Sequence, residues 1–201
     1  MLYDHDIREP LFDFLENVYG KIRILEEKTM GKSRADIVMI TEDALYGIEI
    51  KSDADTYARL KRQIRDYNKY YDYNFVAVGT SHAMHIEEHV PDFWGIITVD
   101  ETVSGPDFYI LRKPERNLKM NRKSKLSLLW RPELAAIQKM NAMPAYREKS
   151  KAFVIEKIVS RIPEEISEND INKQISGLLF ERDYTMIAKE LDAYKKSRKK
   201  T

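Results

Sequence analysis

The sequence predicts an α/β fold, a mixed central sheet layered with helices, followed by an α-helical C-terminal region. Three observations predict it. Short apolar runs rich in β-branched residues recur through the first 112 residues. Stretches with helical spacing of apolar residues separate several of them. Beyond residue 112 the strand signal ends and only helical spacing continues.

The elements follow in order. Over residues 6–15, Ile7, Leu11, Phe14 and Leu15 form one helical stripe. Pro10 is awkward inside a helix, so this helix is expected to start near Glu9 or to kink there. Residues 23–27 read as a strand, and residues 35–40 and 45–50 as two more, joined by Thr41, Glu42, Asp43 and Ala44. Asp55 and Thr56 offer an N-cap to a helix whose buried stripe is Leu60, Ile64, Tyr67 and Tyr71. Residues 74–79 and 93–99 are continuous apolar runs, as in strands buried on both faces. A helix over residues 81–89 is expected to connect them as a crossover. A turn at 104–107 leads into a last strand at 108–111.

Residues 1–112 are therefore expected to form the core, residues 113–126 a basic linker and residues 127–201 a helical C-terminal region. The linker assignment rests on Lys113, Arg116, Lys119, Arg122, Lys123 and Lys125, set against one acid, Glu115. Pro132 suits the first turn of a helix. Val154, Ile155, Ile158, Val159 and Ile162 form the stripe of another, stopped by Pro163. Residues 167–170 can cap a third, with Ile171, Ile175, Leu178 and Leu179 inward, and Ile187, Leu191 and Tyr194 mark a fourth before a Lys-rich tail.

Residues 34–51, R-A-D-I-V-M-I-T-E-D-A-L-Y-G-I-E-I-K, place Asp36 in one apolar run and Glu49 and Lys51 in the next. Ionised groups are costly inside strands that pack on a core. If Glu42 and Asp43 form a two-residue hairpin turn, Thr41 faces Ala44 and Asp36 faces Glu49. Opposed side chains share a face with Cβ atoms ~4.5–5.5 Å apart, and Lys51, two residues past Glu49, joins them. Two carboxylates that close repel unless a cation lies between them, and hard oxygen ligands without Cys suit Mg²⁺ or Mn²⁺. Such an ion activates water and neutralises charge on a phosphodiester. Taken alone, the same string also describes a salt bridge on the exposed face of a hairpin.

With its apolar flanks, the set Asp36, Glu49-Ile50-Lys51 resembles the PD-(D/E)XK superfamily of nucleases, the restriction-endonuclease-like fold; Ala35 stands where the motif name has Pro. The resemblance implies a restriction-endonuclease-like three-layer core with a mixed central sheet. It implies that Asp36, Glu49 and the Ile50 backbone carbonyl bind the metal and that Lys51 assists the nucleophilic water. Gln63 and Tyr67, four apart on one helix face, resemble the Q-x-x-x-Y motif of RecB-type nucleases. There the Gln approaches the active site, and the Tyr supports it or meets nucleic acid. An acid on the first helix joins the metal shell in that superfamily, which makes Glu9 the candidate here and Glu16 a weaker one. Arg34, Arg59 and Arg62 are candidates for phosphate contact. Ser127-Leu128-Leu129-Trp130-Arg131 and residues 147–151 extend the resemblance to a small bacterial and phage branch of these proteins.

Composition fits without deciding. The chain has 201 residues, 43% of them hydrophobic, no Cys and a formal net charge of +1. No disulfide scaffold or thiolate metal site is expected, a reducing cytoplasm is, and no signal peptide or membrane-spanning run is visible. A near-neutral protein that binds nucleic acid must segregate its cations. His82, His85 and His89 lack H-E-x-x-H spacing and are read as surface residues of a connecting helix; His82, just past a strand end, is a further candidate for substrate contact. The expectation is a Mg²⁺- or Mn²⁺-dependent nuclease acting on DNA, with a homodimer or a protein partner left open. The rival is a nuclease-fold module that binds DNA or protein and cuts nothing; a third possibility is a nuclease that wakes only with its partner.

Overall fold

The computed structural model describes residues 2–183. The fourth C-terminal helix and the Lys-rich tail expected from the sequence lie outside the described residues. The fold is α/β, with a six-stranded sheet in the order β1-β2-β3-β4-β5-β6. The strands are β1 Arg23–Met30, β2 Ser33–Ile40, β3 Leu45–Lys51, β4 Tyr73–Gly79, β5 Gly95–Thr102 and β6 Gly105–Arg112. β1, β2 and β3 are antiparallel neighbours, β3, β4 and β5 run parallel, and β6 returns antiparallel. The sheet is therefore mixed.

The two faces of the sheet bury different sets of side chains. On one face Ile37, Met39, Ile48, Ile50, Phe75 and Ala77 meet Ile7, Leu11 and Leu15 of α1 (Asp4–Tyr19). The helix runs through Pro10 without breaking. On the other face Val38, Ile40, Leu45, Val76 and Val78 meet Leu60, Tyr67 and Tyr71 from α2 (Leu60–Tyr70) and its C-cap. Alternation with period two decides which side chain goes to which layer. Gly47 of β3 lies directly beneath the Tyr67 and Tyr71 rings, where a side chain would collide.

The C-terminal helices join that second layer. They are α4 (Arg122–Ser127), α5 (Arg131–Met140), α6 (Lys151–Val159) and α7 (Glu168–Phe180), with α3 (Thr80–Ala83) earlier in the chain. Leu126, Ile137, Val154, Ile158, Ile175 and Leu179 share one cluster with Tyr67 and Val76. Their starts follow their sequences. Pro132 sits in the first turn of α5, where Glu133 accepts the Trp130 N–H at 2.6 Å. Ser150 and Ser167 accept the N–H groups of Phe153 and Asp170 at 3.2 and 3.0 Å.

The stretch expected as a basic linker is partly inside. Asn117 is buried and donates to the Asn68 and Tyr71 carbonyls. Lys125 is 1% exposed, its Nζ 2.8 and 2.6 Å from the two Asp72 oxygens and 2.6 Å from Asn172 Oδ1. Lys113, Arg116, Lys119 and Lys123 remain exposed. A lysine in a charged run thus becomes a buried tie between the C-terminal helices and the end of α2, because Asp72 awaits it there.

Two expectations are corrected. The helix over residues 81–89 is instead α3 followed by a 3₁₀ turn at Ile86–Glu88. Ile86 is the only buried side chain in those two pieces, and Met84 is 85% exposed, so no apolar stripe supports a longer helix. Asp55 does not cap α2; its Oδ2 accepts from Ser52 N–H and Oγ at 2.9 and 2.8 Å, and a 3₁₀ turn at Tyr57–Arg59 leads into the helix. No helix among the described residues is long and apolar enough to cross a membrane.

Candidate functional site

The register of β2 against β3 governs the site. Ile37 pairs with Ile48, Val38 with Gly47, Met39 with Tyr46 and Ile40 with Leu45. The turn closes with Thr41 N–H on the Ala44 carbonyl at 3.0 Å. Continued one step, this register sets Asp36 opposite Glu49. There the ladder ends, and Asp36 Oδ2 accepts the Ile50 N–H at 2.9 Å. Within a strand, the N–H and C=O of one residue point the same way. The Ile50 carbonyl therefore also turns toward the Asp36 side, while its side chain packs on the α1 layer.

Glu49 and Lys51 lie on the α2 face of β3, at 0% and 3% exposure. Lys51 Nζ is 2.5 Å from Glu49 Oε1. Gln63 of α2 donates its Nε2 to the same oxygen. The Tyr67 hydroxyl lies 2.9 Å from Glu49 Oε2 and 3.0 Å from the Ile48 carbonyl, and it accepts the Asp36 N–H at 3.2 Å. One α2 face, read as Gln63 and Tyr67 four apart, thus holds the Glu49 carboxylate and the main chain at Asp36.

Charge is poorly compensated at Asp36. Burial first, and then the nearby Glu49 charge, push its carboxyl up to about 7, against the Ile50 N–H and Lys51. Burial, followed by Glu49 and Asp36, pushes the Tyr67 hydroxyl well above its ordinary value, so it acts as a neutral donor. Gln63 Oε1 is buried without a hydrogen-bond partner. Two crowded carboxylates beside an orphaned carbonyl oxygen fit a hard cation. Among the described residues, however, no group of three His, Cys, Asp or Glu side chains gathers as a metal site. A cation here would draw on Asp36, Glu49, the Ile50 carbonyl and water. That donor set suits Mg²⁺, which keeps several waters and binds through one or two carboxylates.

These groups sit in an open cleft of 570 Å³, lined by Asp36, Glu49, Ile50, Lys51 and Gln63 at its floor. Lys32 and Arg34 of the β1–β2 hairpin stand on its rim, as do Arg59 of the approach to α2 and Arg62 in the first turn of α2. The three arginines are exposed. Another hollow, lined by Tyr19, Lys21, Thr41 and Phe180, lies at the far end of β2.

Glu9, Glu16 and His82 fall outside the cleft, and Tyr67 lies too deep for the contact role. Glu9 is exposed and absent from the cleft lining, because Ile7 and Leu11 turn the buried side of α1 to the sheet and leave Glu9 outward. Glu16 is likewise exposed. Tyr67, offered for nucleic-acid contact, is 0% exposed and reaches no solvent. Asp4 and Arg8 line the cleft instead, Arg8 directly before Glu9 and Asp4 one turn before Arg8. Their only sequence signal is an acid and a base four apart at a helix start. His82 bonds the Tyr57 hydroxyl at 2.8 Å through Nδ1 and does not line the cleft.

The model of the family described as bacteriophage P4 protein cII matches residues 2–197. No curated protein matches the chain. Among solved structures, the chain is similar to Pyrococcus furiosus SfsA in complex with Ca²⁺, at 14% identity and a TM-score of 0.32. That match covers 52% of this chain and 59% of the other, so the chain spans less than two thirds of that relative's length.

Proposed function

The chain belongs to the bacteriophage P4 protein cII family, and we propose that it is a metal-dependent nuclease of the PD-(D/E)XK type that hydrolyses phosphodiester bonds in DNA. One observation carries the reading. Asp36, Glu49, Lys51 and Gln63 meet on one sheet face at the floor of a cleft whose rim carries Lys32, Arg34, Arg59 and Arg62.

Asp36 and Glu49, with the Ile50 carbonyl, would hold Mg²⁺ or Mn²⁺, which when bound lowers the pKa of water and offsets charge on the phosphate. Gln63 and Tyr67 fix the Glu49 carboxylate so that it does not reorient when the substrate arrives. Lys51 Nζ, held beside Glu49, directs a proton donor at the floor of the cleft, where an attacking water or a phosphate oxygen would lie. The rim arginines neutralise flanking phosphates without reading bases.

The test pairs binding with cleavage. Mn²⁺ should raise the Tm of the wild-type chain, and Glu49→Gln should abolish the rise, because only a ligand of the folded state shifts unfolding. Asp36→Ala should abolish cleavage of plasmid and oligonucleotide DNA while the far-UV spectrum stays unchanged. Undiminished cleavage by Asp36→Ala would falsify the assignment.

A second reading has its own support. Lys51, Gln63 and Tyr67 already engage both Glu49 oxygens, as expected of a silent module that binds DNA or protein with nuclease architecture. DNA binding without any Mn²⁺-dependent Tm rise favours that module.

A further inference from the structure

Asp36 occupies a point of β2 that neither neighbouring strand holds. On one side the β1–β2 ladder passes from Glu26–Ile37 to Lys28–Ala35 without pairing Glu27 to Asp36. Glu27 takes a positive φ of 53°, which turns its main chain out of line. On the other side the β2–β3 ladder stops at Ile37–Ile48. The main-chain groups of Asp36 are taken up by side chains. The Tyr67 hydroxyl accepts its N–H, and Arg8 Nη1 donates to its carbonyl at 3.1 Å.

Arg8 is itself immobilised. Its Nε and Nη2 bond the two Asp4 oxygens at 2.9 and 3.1 Å. Nη2 is 3.2 Å from Glu27 Oε1, and Nη1 is 3.5 Å from Glu26 Oε2. The side chain is 15% exposed, with both Nη groups and Nε engaged, so it has little left for a phosphate. Its planar fork suits this bidentate use, and a lysine could not replace it.

We propose that Arg8 is a positioning residue of the cleft: clamped by Asp4 and Glu27, it replaces the missing ladder bond at Asp36 and so aims the Asp36 carboxylate at Ile50 and Glu49. The role deepens the nuclease reading, on which its consequence for metal binding rests. A shift of about 1 Å at a ligand is enough to weaken a preorganised site.

The test uses the full chain and two independent readouts. Amide hydrogen exchange at Ile50, whose N–H is held by Asp36, should accelerate at least tenfold in Arg8→Met, while Val38, inside the ladder, keeps its wild-type rate. The Mn²⁺ concentration giving half the Tm rise should increase at least tenfold. Arg8→Lys should behave like Arg8→Met, and Asp4→Asn should shift both readouts in the same direction, which keeps the test open if Arg8→Met fails to fold. Arg65→Met, on the exposed side of α2, should change neither. Exchange at Ile50 that stays unchanged, or rises only in step with Val38, overturns the positioning role. Absence of any Mn²⁺ effect in the wild type removes the nuclease reading alone, since the exchange comparison still decides the role of Arg8.

Discussion

The Asp36 carboxylate accepts the Ile50 N–H at 2.9 Å, one step beyond the last paired residues of β2 and β3. An acid thereby stands where the next ladder bond would be, close to Glu49 and largely out of water. That placement explains its raised carboxyl and has consequences for pH.

In the absence of divalent ions, the folded chain keeps the Asp36 proton up to about pH 7, whereas an ordinary carboxyl loses it near 3.8. The stability this contributes is complete below about pH 4 and is lost as pH rises through 7. Asp36→Asn cannot ionise, so it should gain on the wild type with rising pH. We expect a small Tm difference at pH 4 and a gain at pH 8 of up to about 4 kcal/mol, at roughly 2–4 °C per kcal/mol. A difference that stays flat from pH 4 to 8 would mean that this carboxylate is not held against its charge. Mn²⁺ binding to the wild type should strengthen across the same interval.

Tyr67→Phe removes a hydroxyl shared by the Asp36 N–H, the Ile48 carbonyl and Glu49 Oε2. The ring still fits, but buried polar groups lose their partner. Urea unfolding should show a loss of about 2–3 kcal/mol. A loss under about 0.5 kcal/mol would show that this hydroxyl is not what joins α2 to the two strands.

A methyl group at Gly47 would meet Tyr67 Cδ1 at 2.6 Å and collide with the Tyr71 ring. Gly47→Ala should therefore displace α2 and destabilise the fold by about 1–3 kcal/mol. It should also weaken the Mn²⁺ response, since Gln63 and Tyr67 ride on that helix. Separate loss of stability with an unchanged Mn²⁺ midpoint would uncouple helix placement from the acids.

Arg59 and Arg62 line the cleft and are exposed, as phosphate contacts require. Arg59→Gln and Arg62→Gln should each weaken DNA binding about equally for all sequences, and each should reduce the slope of log K against log salt by about 1. Filter binding between low and moderate salt measures this. An unaltered slope for both variants places the nucleic acid elsewhere on the molecule.

Much of the candidate site could be read from the chain alone. Alternation in residues 34–51 and the four-residue link between the two runs were enough to set Asp36, Glu49 and Lys51 on one face, and the observed pairing of Ile37 with Ile48 has that register. Helical spacing likewise put Gln63 and Tyr67 on one side of α2. Such patterns are local, because side-chain direction along a strand or helix follows from its own period. Long-range packing decided the rest. It sent Lys125 from a charged run into a buried pair with Asp72, enclosed Tyr67 completely, left Glu9 in solvent and brought Asp4 and Arg8 to the acids. Which side chain of α1 reaches the Asp36 main chain depends on how that helix lies on the opposite sheet face and where the β1–β2 ladder opens, and no period within the helix encodes either.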